Sequence, residues 1–315
     1  MTRESHKLHL KTLLRSGSNI GCSAELEPGA KSHKKTMAAM ADKHECYQLA
    51  VQDARIEVRN LVNIFAELSL TTCAMQRIVP TILLEDFCGT ALLCREWVAK
   101  FPLRRAYGID LDADVLEYSQ KKLVDSNLVG SVRLIQGDVL CSKLGNCPPP
   151  HIIVAFNYGI CYFHKFSILV EYFKRCKNIL APGGLFICDL FNAFAAEGSG
   201  NLGYRKGCGA FDYIFEQSNI DLVSNTCHCH ISFKFKDGSW MKRAFSYHFR
   251  MWTLAEVRDA MLEAGFVKVD FFLSYDDGTA GSDEKTYTHV SQKITNVNRP
   301  WSAYITGTCN VDMIL

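Results

Sequence analysis

The stretch LLEDFCGTALLC, from Leu83 to Cys94, decides the fold. Its first apolar residues predict a short buried strand, and the apolar spacing from Ala91 onward predicts a helix. The acidic Glu85 lies at the end of this strand, and a single glycine, Gly89, lies in the turn that follows. A strand that enters a helix through a glycine turn is typical of the first unit of a parallel α/β sheet.

After this turn, the chain alternates short apolar runs with stretches of helical spacing. The predicted elements, in chain order, are strand Thr81–Leu84, helix Ala91–Lys100, strand Ala106–Ile109, helix Ala113–Ser126, strands Val132–Ile135 and Ile152–Phe156, helix Phe166–Leu180 and strand Leu185–Leu190. Because helical crossovers join parallel strands and cover both faces of the sheet, we predict a doubly wound α/β fold.

The regions on either side of this core have different patterns. Upstream, apolar residues from Tyr47 to Leu68 recur at helical spacing, which predicts N-terminal helices. Downstream, segments between Phe211 and Arg250 alternate apolar and polar residues around an Asp237-Gly238 turn. This alternation predicts an antiparallel β insertion.

Beyond the insertion, the sequence predicts a capped helix over Thr253–Ala264 and two last strands over Phe266–Leu273 and Ser302–Thr308. The elements together predict one domain preceded by a leader. We expect a disordered leader over residues 1–43 and a single domain over 44–315, with a helical cap over 44–76 and a β lid over 197–252.

The composition gives no sign of a nucleic-acid or membrane partner. The formal net charge is +2, 22% of the residues are charged, and no dense block of lysine and arginine is present. No apolar run approaches the roughly 18 residues of a membrane span. We therefore expect neither a nucleic-acid partner nor a membrane anchor, and the oligomeric state stays open.

The 14 cysteines are scattered, and no two have C-x-x-C spacing. Several lie in apolar runs, as free thiols do in a reducing compartment: Cys73, Cys88, Cys161 and Cys188. We therefore expect a cytoplasmic protein. The leader carries basic and hydroxyl side chains together with three glutamates, so an organelle transit peptide is the alternative interpretation of residues 1–43.

The turn after the first predicted strand limits the choice of ligand. A dinucleotide needs G-x-G-x-x-G there, because its pyrophosphate must reach backbone amides at a helix N-terminus. Glu85 would repel a pyrophosphate and Phe87 would block it, which argues against an NAD-dependent oxidoreductase. S-adenosylmethionine carries no phosphate and has a sulfonium and an ammonium, so an acidic strand end suits it better.

Two further acids follow predicted strands at suitable places. Asp110 lies 21 positions after Gly89, close to the spacing of about 20 at which an acid receives ribose hydroxyls in such folds. Asp138 ends the third predicted strand and could accept the amino group of adenine. The three acids thus predict a site for a positively charged nucleoside.

The segments LLEDFCGTA, YGIDLDADVL, IQGDVL, IIVAFNYG and ILAPGGLFICDLF, in this order and spacing, resemble the class I S-adenosylmethionine-dependent methyltransferases across residues 47–308. The resemblance implies a Rossmann-like sheet of seven strands with a final antiparallel strand. It departs from the family in the first motif, which usually reads D/E-x-G-x-G-x-G, and this puts the backbone path near Phe87 in question.

The resemblance also implies cofactor-binding roles for individual residues. Glu85, Phe87, Gly89 and Ala91 would surround the methionine part, Asp110 the ribose, Asp138 and Val139 the adenine, and Phe156 and Asn157 the sulfonium, with Thr90 and Leu111 as further cofactor contacts. Tyr47 would stack from a closing helix, and an amphipathic anchor is the alternative role for it.

Methyl transfer is an in-line displacement on an activated carbon, so a general base is optional. The candidate catalytic residues are Tyr158, His164 and His248, with ordinary packing as the alternative for each. The stretch SYHFRMWTLAEVRDAMLEAGF resembles the lid and last helix of methyltransferases that act on small metabolites. We therefore expect N- or O-methylation of a small molecule. The alternative is a catalytically silent, methyltransferase-like binding subunit.

The run Cys227-His228-Cys229-His230 suggests a zinc site at first sight. Alternation along a strand would send the cysteines to one face and the histidines to the other, so the four side chains cannot converge on one ion. A half-site completed by His248 is the alternative, and we predict no metal.

Overall fold

The computed structural model describes residues 35–72, 79–191, 202–275, 287–290 and 301–309. Most of the predicted leader, the end of the predicted cap, the start of the predicted lid and Cys73 lie outside the described residues. Residues Thr36–Leu315 form one compact unit. Among the described residues, no helix combines the length and apolar character needed to cross a membrane.

The described strands form two sheets. In chain order they are β1 Ile82–Asp86, β2 Arg105–Asp110, β3 Val132–Gln136, β4 Ile152–Ala155, β5 Leu185–Phe191, β6 Leu202–Gly207, β7 Phe211–Gln217, β8 Thr226–Phe235, β9 Trp240–Arg250, β10 Lys268–Tyr275, β11 Thr288–His289 and β12 Trp301–Thr308.

The main sheet has the order β11-β10-β12-β5-β4-β1-β2-β3. Strands β1 to β5 run parallel, and β12 pairs antiparallel with both β5 and β10. The predicted doubly wound fold with a final antiparallel strand is confirmed. The predicted count of seven strands was one too low, because β11 spans only two residues and so short a segment shows no periodicity in the sequence.

The helices are α1 Met37–Met40, α2 Lys43–Val51, α3 Ala54–Thr72, α4 Leu92–Ala99, α5 Ala113–Asp125, α6 Phe166–Ile179 and α7 Leu254–Glu263, with a short 3₁₀ turn over Gly159–Tyr162. The predicted capping box of α7 is present between Thr253 and Glu256. Helix α1 lies inside the segment predicted as leader, while the predicted domain boundaries themselves stay predictions.

Apolar side chains fill both faces of the main sheet. Strand β4 is buried along its whole length, as expected for a central parallel strand. One face packs on α6 and α7 and includes Tyr172 and Phe186, and the other packs on α3 and α4 and includes Trp97.

The second sheet has the order β6-β7-β8-β9 and corresponds to the predicted antiparallel lid. One part of the lid packs on α2 through Phe211 and Phe233, and another packs on the main core through Cys227 and Phe249. The lid therefore bridges the N-terminal helices and the α/β core.

Candidate functional site

The carboxyl ends of β1, β2 and β4 lie side by side. Asp86 at the end of β1 pairs with Ile109 of β2 on one side and with Ala155 of β4 on the other. In parallel α/β sheets this edge is where ligands bind. The sequence-predicted residues Glu85, Asp110 and Asn157 all belong to it.

Strained backbone is concentrated at this edge. In the described part of the chain, seven residues other than glycine have a positive φ, and four of them are Phe87, Ala91, Asn157 and Tyr158. Each such residue costs on the order of 1–3 kcal/mol and persists only where the surrounding structure imposes it. The turns after β1 and β4 therefore carry the features of a functional site.

Phe87 stands where a glycine is usual in the first motif, with φ 59°. Its ring packs against Tyr162 and Tyr172, each with a centroid distance of 6.0 Å. Gly159 leaves the room for this, because a Cβ there would lie 2.5 Å from Cδ2 of Phe87. The missing glycine after β1 is thus accommodated by a glycine in the turn after β4, which sequence reasoning did not detect.

Asp110 fastens the turn after β1. Its Oδ2 accepts a hydrogen bond from the Gly89 amide at 2.7 Å, and its Oδ1 accepts one from the Asp112 amide at 3.0 Å. Burial raises the pKa of Asp110, although these hydrogen bonds oppose the rise. A carboxylate offers about four acceptor sites, so roughly two stay available for the hydroxyls of a ribose.

Glu85 lies beneath the turn and is 3% exposed. Its Oε2 accepts a hydrogen bond from the amide of Cys94 in α4 at 3.1 Å. Burial raises the pKa of Glu85 to about 7, against the hydrogen bonds from Cys94. This contact supports a positioning role for Glu85 in place of the predicted ligand contact, because its carboxylate bonds the helix that the turn leads into.

Some buried polar atoms near the turn have no hydrogen-bond partner among the described residues. Thr90 is 5% exposed and its Oγ1 is one of these atoms. Tyr118 Oη and Nε and Nη2 of Arg95 are others. Since leaving a buried polar group unpaired costs about 1–3 kcal/mol, these atoms fit a site whose polar ligand completes the bonding.

The residues predicted to hold adenine line the next part of the edge. Val139 is buried, and Asp138 is exposed with its Oδ1 accepting from the Leu140 amide at 2.9 Å. Leu111 is 72% exposed directly after Asp110. An apolar side chain in the open beside two acids suits a flat heterocycle with polar edges.

Asp189 near the end of β5 was not assigned a role by the sequence analysis. Its two carboxylate oxygens accept hydrogen bonds from the amides of Asn157 at 3.0 Å and Tyr158 at 2.8 Å. It therefore holds the strained turn after β4, next to the sequence-predicted Phe156, which is buried and stacks on Tyr304 at 5.0 Å. The sequence signal that could have identified Asp189 is its position as an acidic residue inside the apolar run LFICDLF.

Four tyrosines from three parts of the fold meet near Asp189, and we call them the tyrosine cluster: Tyr47 of α2, Tyr158 of the turn after β4, Tyr213 of β7 and Tyr247 of β9. The pKa of Tyr47 is raised first by burial and then by the other three tyrosines and Asp189. Burial and then Asp189 also raise the pKa of Tyr158. Burial also raises the pKa of Tyr247, so the phenols of Tyr47, Tyr158 and Tyr247 stay protonated at neutral pH.

The two histidines predicted as catalytic lie elsewhere. His248 is exposed on the face of β9 opposite to Tyr247, and its backbone oxygen accepts from Nε2 of His164 at 2.9 Å. The predicted set of Tyr158, His164 and His248 is therefore divided between two places. The reason is the two-residue period of a strand, which sends neighbours 247 and 248 to opposite faces.

The Cys227–His230 run alternates as predicted. Cys227 and Cys229 are buried, whereas His228 is exposed. In the described ranges, no group of three or more His, Cys, Asp or Glu side chains is arranged to hold a metal ion.

Residues 84–184 match a family model described as a methyltransferase domain. The match supports a methyltransferase domain in this segment of the chain. The matched segment contains the turns after β1, β2, β3 and β4, so the predicted family resemblance is confirmed. No curated protein matches the sequence.

Solved methyltransferases share the fold of most of the chain at low identity. An S-adenosylmethionine-dependent methyltransferase from Clostridium acetobutylicum ATCC 824 has 18% identity and a TM-score of 0.60, with 84% of this chain and 97% of that chain covered. The amino pentose methyltransferase CalS10 from Micromonospora echinaspora has 13% identity and a TM-score of 0.54, with 83% and 95% covered.

A sugar N-methyltransferase, KedS8 from Streptoalloteichus sp ATCC 53650, has 13% identity and a TM-score of 0.55, with 93% of this chain and 100% of that chain covered. At these identities the likeness concerns the fold. It extends beyond the methyltransferase domain, since coverage above 80% takes in segments outside residues 84–184.

Proposed function

We propose that this protein transfers a methyl group from S-adenosylmethionine to a nitrogen or oxygen atom of a small-molecule acceptor under the lid. The observation that carries the proposal is Asp110, which ties the Gly89 turn to the end of β2 at the edge where the methyltransferase domain binds its ligand. S-adenosylmethionine supplies the methyl group on a sulfonium that already activates it.

The residues of the turns hold the nucleoside. The free acceptor sites of Asp110 receive the ribose hydroxyls, and the unpartnered Thr90 Oγ1 gains a polar partner. Leu111 and Val139 cover the faces of the adenine, while Asp138 accepts its amino group. The acids also favour a cationic ligand over a pyrophosphate.

The tyrosine cluster orients the acceptor. The phenols of Tyr47, Tyr158 and Tyr247 stay protonated, so they donate hydrogen bonds and present aromatic faces and do not act as bases. An amine suits this environment, because aromatic faces and Asp189 attract a cationic amine on entry. Burial then lowers the pKa of the amine and favours the neutral form, whose lone pair can attack.

Acceptors of the fold relatives agree with an amine. CalS10 is described as an amino pentose methyltransferase and KedS8 as a sugar N-methyltransferase. We therefore put an amino group on a small polar molecule such as a sugar first, and a hydroxyl second.

Two measurements test the proposal in order. Calorimetry with S-adenosylhomocysteine should give saturable binding to the folded protein, and labelled S-adenosylmethionine should then transfer its methyl group to a compound in a metabolite extract. Absence of binding would overturn the cofactor assignment. Binding without transfer to any compound would favour the catalytically silent subunit.

A further inference from the structure

Three histidines from different segments lie together where the lid meets the core. His228 of β8 and His248 of β9 stack face to face, with centroids 4.4 Å apart and planes at 12°. His164, between the 3₁₀ turn and α6, meets His248 edge-on at 4.5 Å. We call these three residues and Arg250 the lid–core junction.

Two hydrogen bonds cross the junction. Nε2 of His164 donates to the backbone oxygen of His248 at 2.9 Å, and Nη1 of Arg250 donates to the backbone oxygen of His164 at 2.8 Å. His164 directly follows the segment that carries Tyr158 and Tyr162. The junction therefore ties β9 of the lid to the turn that holds part of the tyrosine cluster.

The charges around the junction are mostly positive or able to become so. The lid contributes His228, His248 and Arg250, and the core contributes His164. Two acids lie near: Glu256 of α7 pairs with Arg250 at 3.3 Å, and the Asp221 carboxylate accepts from the Val223 amide at 2.8 Å. Both acids are thus already engaged.

The junction borders an open cavity of about 550 Å³. Its lining includes the three histidines, Asp221 and Arg250. Water therefore reaches the exposed rings of His228 and His248.

We propose that His164 is a positioning residue that fastens the closed lid, and that protonation of His248 at the junction releases it. A neutral His248 ring allows the stack on His228, whereas a protonated ring places positive charge beside Arg250. The role of lid closure in methyl transfer depends on the proposed function, whereas the closure itself does not depend on it.

The direction of the pH effect follows from His248. Burial and the neighbouring His164 and His228 lower the pKa of His248 from its ordinary value of 6.5 in the closed form. The closed form therefore binds fewer protons than the open form. Closure is fully favoured above about pH 6.5 and weakens as the pH falls below that value.

Hydrogen exchange of the β9 amides tests the proposal. Wild type and variants are compared with each other at about pH 5.5 and again at about pH 7.5, because intrinsic exchange rates cancel when both proteins are at the same pH. The double variant His228→Gln/His248→Gln removes the His248 ring and its stacking partner, and it keeps the backbone acceptor of residue 248. At the lower pH its β9 amides should exchange roughly threefold to tenfold more slowly than those of wild type, with no difference at the higher pH.

The matched control is His151→Gln, outside the junction in the segment before β4, where the ring Nδ1 accepts a hydrogen bond from the Ile82 amide at 3.3 Å. This variant should exchange like wild type at both pH values. His164→Ala should speed β9 exchange at both, and His164→Gln, whose amide can donate, should restore protection.

Equal β9 exchange in wild type and the double variant at the lower pH would overturn the release mechanism. Unchanged exchange in His164→Ala would overturn the fastening role. Binding of S-adenosylhomocysteine, measured on the same proteins, reports on the proposed function separately, because its predicted site around Asp110 does not include the junction.

Discussion

The two halves of the site are built in different ways. The turns after β1, β2 and β3 form the proposed cofactor side, where short consecutive segments and backbone hydrogen bonds make the site, as between Asp110 and Gly89. The tyrosine cluster forms the proposed acceptor side, with side chains from α2, the turn after β4 and the lid.

This difference explains why the family model includes one half of the site and not the other. The family model covers residues 84–184 and so includes the cofactor side, whereas Tyr47, Tyr213 and Tyr247 lie outside it. A local construction can be shared by many proteins with different acceptors, while an assembly of distant side chains is particular to one chain.

The largest expected effect is on the free energy of unfolding, and it tests whether the buried Glu85 carboxyl stabilises the turn after β1. Its pKa is raised to about 7 in the fold from an ordinary 4.5, so its protonated form stabilises the protein at low pH. This contribution to the free energy of unfolding is complete below about pH 4.5 and is lost as the pH rises through about 7. Its size is about 1.4 kcal/mol for each unit by which the fold raises the pKa.

Glu85→Gln should remove this dependence and make the protein more stable than wild type near pH 8, by about 2–3 kcal/mol. Urea denaturation across the pH range measures the change. An unchanged pH profile would mean that Glu85 does not titrate from its place under α4.

The next effect concerns cofactor affinity. Asp110→Ala should weaken S-adenosylhomocysteine binding by about 1.5–3 kcal/mol, since charge-assisted hydrogen bonds to the ribose are lost. Calorimetry measures it, with Asp125→Asn at the exposed end of α5 as a control that keeps wild-type affinity. Equal affinity of both variants would move the site away from β2.

A third prediction couples the turns after β1 and β4. Gly159→Ala should destabilise the protein by about 1–3 kcal/mol, because the added Cβ meets the ring of Phe87. The cost of Gly159→Ala should shrink in a Phe87→Gly background, and a double-mutant cycle in urea measures this coupling. Additive costs would show that the two turns are independent.

The smallest effect should separate the two sides. Tyr213→Phe should lower methyl transfer through loss of one hydrogen bond, about 0.5–1.5 kcal/mol, and leave S-adenosylhomocysteine affinity as in wild type. Transfer rates and calorimetry on one preparation measure both quantities. An equal loss in both would place Tyr213 on the cofactor side.

How far the sequence could predict the fold depends on the range of the interactions. Strand and helix positions in the α/β core agree within about two residues, because periodicity and caps act over neighbouring residues. The N-terminal helices begin at Lys43 and end at Thr72, outside the predicted Tyr47–Leu68, and β6 was not predicted as a strand. The two-residue β11 escaped, since its pairing with Phe272 and Leu273 is a tertiary contact. Strand alternation also predicts that His248 and Tyr247 lie on opposite faces of β9. Only the packing of the lid in the structure shows which of these two faces meets the core.

The sequence by itself determined the order of elements and the acids at the strand ends, because spacing along the chain sets both. Only the tertiary structure decided that Gly159 makes room for Phe87, that Asp189 holds the turn after β4, and that His164 and His248 lie apart from Tyr158. These outcomes depend on side chains distant in the sequence that meet through packing, and local pattern carries no information about such meetings.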